Sequence, residues 1–351
     1  MRPASLLEFV GNEQAKKILD MSIRVAKKKG SSLPHILFTG ASGCGKTTLT
    51  YILANEMNSK CHVINAANID GTDSILDVVK GANEGDIVFI DEIHSLTPSQ
   101  QESLYHAMED GFLEVEQWER KGYCSDTYNR VIKWGSMNTA IGLASKEGEK
   151  RRKVKKQISI PSITFIGAST APGKLAKPFR DRFPINVTLK KYTIEECAVI
   201  ASQKAKMLGH TITEEGSLDV GKRAMGVARV VTNYISRCCD MAFLHDSDTI
   251  TKEIVEETMR LLGIDENGYS ETHHRYLKAL SNGKMGLNAL VGVLEEDKET
   301  IEMIENSLIQ DELVIRSPRG RELTENGREF LGIEQASPKG GKEKWNMWDD
   351  I

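Results

Sequence analysis

The sequence has no apolar run long enough to span a membrane, and its first residues, Met1-Arg2-Pro3, do not resemble the start of a secretory signal peptide. We therefore expect a cytoplasmic protein. Cysteine is scarce, with six in 351 residues, and no pair has CxxC or zinc-site spacing, which predicts reduced thiols instead of disulfides. A strong excess of charge is also lacking, because the net charge is only −4. Any contact with nucleic acid must therefore come from local basic clusters.

The composition that remains is that of an ordinary soluble protein, 40% hydrophobic and 27% charged, in a chain long enough for two or three domains. Strand and helix patterns alternate up to about residue 192, with strands predicted at 36–38, 61–65, 86–90 and 163–168. This alternation predicts an α/β fold with a parallel, doubly wound sheet. The pattern is all helical over 193–263. The pattern over 264–333 predicts three helices, at 271–280, 287–294 and 298–310, and two short strands. This is the arrangement of a winged helix.

We thus expect a large domain at 1–192, a small helical domain at 193–263, a winged helix at 264–333 and a polar tail at 334–351. The tail ends KWNMWDDI, which is either a peptide that docks in a partner's groove or a frayed terminus.

One glycine-rich segment follows the first apolar strand and reads GASGCGKT, from Gly40 to Thr47. The pattern is typical of a P-loop, in which backbone N–H groups at the start of a helix cradle phosphates. Lys46 is expected to reach the β- and γ-phosphates and Thr47 to bind Mg²⁺. Cys44 is either a thiol activated by the helix N-terminus or a small filler residue, and we favour the filler. The predicted nucleotide contacts are Gly40, Gly43, Cys44, Gly45, Lys46, Thr47 and Thr48.

A second segment, DIVFIDE at 86–92, is an apolar strand that ends in two carboxylates. Asp91 is expected to bind Mg²⁺, and Glu92 to orient and activate the attacking water. Downstream of a P-loop, this segment predicts a nucleoside triphosphatase.

Four motifs then follow in a specific order: IDEIHSL at 90–96, LYHAMED at 104–110, TFIGAST at 164–170 and FRDRF at 179–183. Together with SPRGREL at 317–323, they make nearly the whole chain resemble the AAA+ ATPases and, within them, the RuvB family of Holliday junction branch migration motors. The resemblance implies an AAA+ core, an all-α lid and a winged helix. It implies an ATP hydrolase and DNA helicase that translocates duplex DNA, drives branch migration of four-way junctions in recombination and repair, and uses ATP and Mg²⁺.

The resemblance also assigns roles to polar residues outside the first two motifs. Ser169 and Thr170 would sense the γ-phosphate or hold the attacking water. Arg182 resembles the arginine finger that completes the neighbouring subunit's site, and Arg180 is the less favoured alternative. Arg229 resembles the second sensor of the lid, although Ala228 stands where family members usually carry proline.

A finger that acts on a neighbour requires an assembly, and the family forms hexamers, so we expect a homo-oligomeric ring. By resemblance, Arg2 and Tyr192 would pack around the base and sugar of the nucleotide, with Glu109 and Asp110 nearby. The expected DNA contacts are Arg316, Arg319 and Arg321 of the winged helix, with Lys298 as an addition.

The chain departs from the family at 111–162, where the family has a shorter β-hairpin that docks the partner RuvA. This longer insertion includes the aromatic residues Trp118, Tyr123, Tyr128 and Trp134 and a basic run at 150–156. It either binds DNA through the basic run or docks a RuvA-type or other adaptor through the aromatic residues.

Two alternatives to a translocating motor share the same motifs. One is a clamp-loader-like AAA+ switch, against which the winged helix argues. The other is a winged-helix DNA-binding module whose ATPase only regulates assembly. The combination of Lys46, Glu92 and Arg182 favours an active enzyme.

Overall fold

The computed structural model describes residues 3–69, 73–120 and 151–333, and the chain divides into two compact units, Met1–Tyr192 and Thr193–Ile351. Arg2, the middle of the 111–162 insertion and the tail at 334–351 lie outside the described residues, so the predictions made for them stay predictions. Within the described ranges, no helix has both the length and the apolar character needed to cross a membrane.

The first unit is built on a five-stranded parallel sheet with the order β2-β3-β6-β1-β7, while β4 and β5 form a separate hairpin. Nearly all residues of the central strands are buried, which explains their continuous apolar sequences. The four predicted strands are confirmed, with small shifts at their ends. β7 escaped prediction because an edge strand with one buried residue, Val187, gives a weak hydrophobic signal. The strands are β1 (Ile36–Thr39), β2 (Cys61–Asn65), β3 (Ile87–Asp91), β4 (Phe112–Arg120), β5 (Arg151–Ser159), β6 (Thr164–Ser169) and β7 (Ile185–Thr188).

The helices of this unit have local start and stop signals. In α4, Thr97 and Gln100 form a reciprocal capping box, Pro98 occupies the first turn, and Gly111 ends the helix at φ 69°. Leu104 on α4 and Phe179 on α5 pack with Val88 and Phe165 of the sheet in one buried cluster. The helices are α1 (Glu13–Lys29), α2 (Lys46–Glu56), α3 (Asp73–Lys80), α4 (Pro98–Asp110) and α5 (Lys177–Arg180).

The 111–162 insertion begins and ends as an antiparallel hairpin. β4 pairs with β5 from Phe112 opposite Ser159 to Arg120 opposite Arg151. Most of the basic run at 150–156 therefore belongs to a paired strand. The hairpin continues directly from α4, because Gly111 alone separates the helix from β4.

The second unit starts with four helices, α6 (Ile194–Met207), α7 (Glu214–Arg223), α8 (Ala228–Leu244) and α9 (Lys252–Leu261). The all-helical prediction for 193–263 needs one correction. Two parallel two-residue strands, β8 (Thr211–Ile212) and β9 (Thr249–Ile250), join the loops before α7 and α9. A pair this short has no periodicity that a sequence could reveal.

The rest of the second unit is a winged helix with its own core. Its helices α10 (Glu271–Leu280), α11 (Leu287–Leu294) and α12 (Lys298–Gln310) are followed by the hairpin β10 (Val314–Ser317) and β11 (Gly320–Leu323) and by α13 (Glu325–Phe330). The core includes the fully buried Tyr276, Leu290 and Leu308. Arg223 of α7 connects the two parts of the unit, because it donates to the Asp265 carbonyl at 2.8 Å and pairs with Asp219 at 3.0 Å.

Candidate nucleotide site and nucleic-acid interface

The phosphate loop joins β1 to α2 in a conformation that only glycine tolerates. Gly40, Gly43 and Gly45 all have positive φ, at 138°, 77° and 97°. A Cβ on Gly40 would lie 2.4 Å from the Leu189 carbonyl oxygen, and one on Gly45 would lie 2.8 Å from the Tyr192 hydroxyl. The loop is therefore fixed by steric constraints as well as by backbone freedom.

Polar groups of the loop converge on one concavity. Lys46 is only 7% exposed, and its Nζ donates to the carbonyls of Gly40 and Ala41 at 2.8 and 3.0 Å. Thr47 and Thr48 follow in the first turn of α2, where the first backbone N–H groups have no partner within the helix. The strand-to-helix turn thus presents a cation and several N–H donors together, which fits a polyphosphate.

The predicted residue Tyr192 lies against this loop, and the predicted residue Cys44 is part of it. The Tyr192 hydroxyl donates to the Cys44 carbonyl at 3.1 Å, and its ring contacts the ring of Phe9. Burial raises the pKa of the Cys44 thiol despite the nearby Lys46, so Cys44 is the packed filler residue that we favoured, not an activated thiol. Tyr192 therefore supports the phosphate loop through the Cys44 carbonyl.

The end of β3 brings together the predicted acidic pair and the end of β6. Glu92 has a left-handed φ of 49°, and its Oε2 accepts a hydrogen bond from Thr170 Oγ1 at 3.2 Å. Ser169 closes β6, and its carbonyl accepts from the Gly40 N–H at 3.3 Å, which ties it to the phosphate loop. The tertiary structure therefore assembles Asp91, Glu92, Ser169 and Thr170 with the loop at the carboxyl edge of one sheet.

His94 belongs to this cluster, and our sequence analysis gave it no role. Its Nδ1 lies 3.2 Å from Glu92 Oε2 and 3.2 Å from Ser169 Oγ. The motif IDEIHSL contains His94 two residues after Glu92, but a lone histidine in a turn is a weak signal. Only the pairing of β3 with β6 makes its two contacts visible.

The arrangement fits a magnesium nucleotide. β6 separates β1 from β3, so the loop and the Asp91-Glu92 pair stand about 10 Å apart at the spacing of neighbouring strands. The Thr47 hydroxyl and the Asp91 carboxylate are oxygen ligands of the type that Mg²⁺ prefers.

Arg182 lies at the opposite edge of the sheet. It precedes β7, whose first residue, Ile185, donates to the His35 carbonyl just before β1 begins. The phosphate loop follows the other end of β1. Arg182 is thus placed away from the phosphate loop of its own chain, as a finger for a neighbour requires.

Glu109 and Asp110 lie at this same amino edge. They line a cavity of about 650 Å³ with Leu33, Pro34 and His35, and Glu109 Oε2 pairs with Arg182 Nη2 at 2.8 Å. We predicted that Glu109 and Asp110 lie near the base and sugar of the nucleotide. Because both lie away from the phosphate loop of their own chain, this prediction is corrected for a nucleotide bound to that loop. Sequence spacing places them near the acidic strand, but the length of α4 carries them across the sheet.

The other two predicted arginines differ in setting. Among the described residues, Arg180 forms no ion pair. Arg229 is exposed in the first turn of α8, after Met225 and Gly226, which both have positive φ. Its guanidinium is solvent-accessible within the second unit.

The arginines of the winged helix differ in their exposure and in their ion pairs. Glu305 of α12 is completely buried, and its carboxylate pairs with Arg316 at 2.6 Å and with Arg321 at 3.1 Å. Arg321 is 13% exposed, whereas Arg316 is 50% exposed. The prediction of Arg321 as a surface DNA contact is thus corrected: two hydrogen bonds hold it on Glu305 inside the wing. Arg319 at the hairpin turn and Lys298 are exposed and form no ion pair within the described ranges.

These features define an AAA+ P-loop ATPase. They are a P-loop, an acidic strand end and a polar neighbouring strand, followed by a group of helices and a winged helix. Three family models match in succession: the Holliday junction DNA helicase RuvB P-loop domain at 1–126, the RuvB AAA lid domain at 192–265 and the RuvB C-terminal winged helix domain at 266–332. The chain belongs to the RuvB family. The family and fold class expected from the sequence are confirmed.

Individual relatives agree over nearly the whole chain. The protein named Holliday junction branch migration complex subunit RuvB from Campylobacter fetus subsp. fetus is 34% identical over 336 residues, covering 95% of this chain and 89% of that protein. Its counterpart from Fervidobacterium nodosum is 33% identical over 337 residues, with 95% and 88% covered. The solved structure titled Thermotoga maritima RuvB Holliday junction branch migration motor has 31% identity and a TM-score of 0.75, with 95% of this chain and 98% of that chain covered.

Proposed function

We propose that this chain is an ATP-dependent DNA motor that translocates duplex DNA and drives branch migration of four-way junctions. The names of its relatives describe Holliday junction branch migration. It would act as a homo-oligomeric ring, by family resemblance a hexamer. One observation carries the proposal: Glu92 and the phosphate loop occupy one edge of the sheet, and Arg182 occupies the other. A site divided in this way is complete only where two subunits meet.

The chemistry follows from the residues at each edge. Lys46 and the N–H groups of α2 would bind the phosphates of ATP, and Thr47 and Asp91 would hold Mg²⁺. When bound, Mg²⁺ neutralises charge on the phosphates. Glu92 would orient the attacking water through Oε1, because Thr170 and His94 engage Oε2. The neighbour's Arg182 would stabilise charge that develops on the phosphates in the transition state.

DNA contact would come from the exposed cations of the winged helix, Arg316, Arg319 and Lys298. Arg229 of the lid is proposed as the residue that senses the nucleotide. The hairpin of β4 and β5 is proposed as the dock for a RuvA-type protein or another adaptor, or as a DNA contact through its basic run.

The first experiment measures ATP-dependent conversion of a synthetic four-way junction into two duplexes, with this protein alone and with a RuvA-type protein added. Conversion in either case supports the motor, and a requirement for the added protein identifies the adaptor. ATP hydrolysis without conversion in both cases would contradict the motor and favour the clamp-loader-like switch or the regulated DNA-binding module.

A second experiment tests the shared site. Glu92→Gln and Arg182→Ala should each abolish hydrolysis, and Glu92→Gln should still bind ATP because Lys46 and Thr47 are intact. In mixed rings, some interfaces combine the intact Glu92 site of one subunit with the intact Arg182 of the next, so activity should return. No recovery at any mixing ratio would count against a finger that acts between subunits.

A further inference from the structure

Two residues of α4 meet the side chain of Arg182. Tyr105 and Glu109 are four positions apart, so they lie on the same face of the helix. The guanidinium carbon of Arg182 stands 4.4 Å from the centroid of the Tyr105 ring. Its Nη2 donates to the Tyr105 hydroxyl and lies 2.8 Å from Glu109 Oε2. The guanidinium thus packs over the Tyr105 ring, and the Tyr105 hydroxyl and Glu109 Oε2 both contact its Nη2.

Both polar contacts use the same nitrogen. Among the described residues, Nε and Nη1 of Arg182 have no hydrogen-bond partner, and Nε is also shielded from solvent. Because Nε is shielded, a group from outside the chain cannot reach it, and Nη1 is the donor that this geometry leaves for such a group. Planar, charge-assisted donors of this kind suit phosphate oxygens.

We propose that Tyr105 is a positioning residue for Arg182, and that the two residues act as one half-site presented to the nucleotide of the neighbouring subunit. The inference rests on the proposed function, because it requires Arg182 to act between subunits. Its physical basis is pre-organisation: a long arginine side chain loses rotamer freedom when it binds, and packing on Tyr105 removes much of that freedom before the subunits meet.

A purely structural tyrosine and a positioning tyrosine predict different kinetics. Tyr105→Phe keeps the ring but removes the hydroxyl that accepts from Nη2, so kcat should fall about tenfold. The KM for ATP should stay near the wild-type value, because the phosphate loop that binds ATP is untouched.

Mixed rings give the sharper test. Tyr105→Leu, which removes both ring and hydroxyl, should regain activity when mixed with Glu92→Gln and should regain none when mixed with Arg182→Ala. If Tyr105 instead served the nucleotide of its own chain, the outcomes would be reversed. Tyr105→Phe serves in the same mixtures if Tyr105→Leu lowers the melting temperature.

Glu102→Gln is the matched control, because Glu102 is exposed on α4 and forms no ion pair within the described part of the chain. It should leave kcat unchanged. The mixture of Glu92→Gln with Arg182→Ala is run first, because its failure would reject the proposed function itself. If that mixture recovers activity, then rescue of Tyr105→Leu by Arg182→Ala would overturn the role assigned to Tyr105.

Discussion

The Nδ1 atom of His94 lies 3.2 Å from Oε2 of Glu92. This contact is an ion pair when the imidazole is protonated. The same nitrogen is within hydrogen-bond distance of Ser169 Oγ at the end of β6. The Ser169 carbonyl in turn accepts a hydrogen bond from the Gly40 N–H of the phosphate loop. His94 therefore joins the Glu92 carboxylate to the strand that touches the phosphate loop.

Replacing His94 should weaken catalysis more than ATP binding. His94→Phe keeps a ring but removes the Nδ1 contacts with Glu92 and Ser169, so kcat should fall about tenfold, with little change in the KM for ATP. Steady-state ATPase assays measure both. His245→Phe is the matched control, since His245 forms an exposed pair with Glu257 on the lid. Equal kcat values for the two variants would remove His94 from the site.

Gly45→Ala should abolish ATP binding. The added methyl would lie 2.8 Å from both Phe9 and Tyr192, at a φ of 97°. Gly30→Ala also places alanine at a positive φ, but no atom lies within 4 Å of its Cβ. It should cost about 1 kcal/mol of stability and keep full activity. Binding of a fluorescent ATP analogue and thermal unfolding separate the two effects; normal binding by Gly45→Ala would contradict the steric argument.

Arg321 and Arg319 should behave differently although two positions separate them. Arg321→Ala removes a partner of the buried Glu305 and should destabilise the winged helix by about 3 kcal/mol. Arg319→Ala should leave stability unchanged, weaken duplex binding and reduce the slope of log affinity against log salt by about one. Denaturation and salt-dependent binding measure these effects. A stable Arg321→Ala variant with a reduced salt slope would restore Arg321 as a DNA contact.

His35 should make the first unit sensitive to acid. Burial lowers the pKa of His35 below its ordinary value, and its Nδ1 accepts from the Phe165 N–H at 3.0 Å. The unfolded chain thus binds a proton at a higher pH than the folded chain. Stability should fall as the pH drops below about 6.5, by at most about 1.4 kcal/mol per pH unit.

His35→Asn tests this assignment, since its side-chain oxygen can still accept from Phe165 but does not titrate. Denaturant unfolding from pH 7.5 to pH 5 should show a flatter pH dependence for His35→Asn. An unchanged profile would assign the acid sensitivity to another group.

Local patterns predicted the helices of the winged helix, α10 to α12, because each combines a 3.6-residue apolar period with clear ends. Local patterns did not predict β7, β8 or β9. These strands are short, and they form because they pair with neighbouring strands. Arg316 and Arg321 are equally basic in the sequence. Only the buried Glu305, contributed by α12, distinguishes their exposure.

The sequence alone determined the class of this protein, because phosphate binding and water activation need particular residues at fixed short spacings, as in GASGCGKT and DIVFIDE. Its resemblance to the RuvB family rested on the later motifs, from IDEIHSL to SPRGREL. The tertiary structure decided which distant residues meet. It placed His94 between Glu92 and Ser169, set Arg182 on Tyr105 at the far edge of the sheet, and buried Arg321 against Glu305. Such contacts depend on strand order and helix length, which bring together side chains that no local pattern connects.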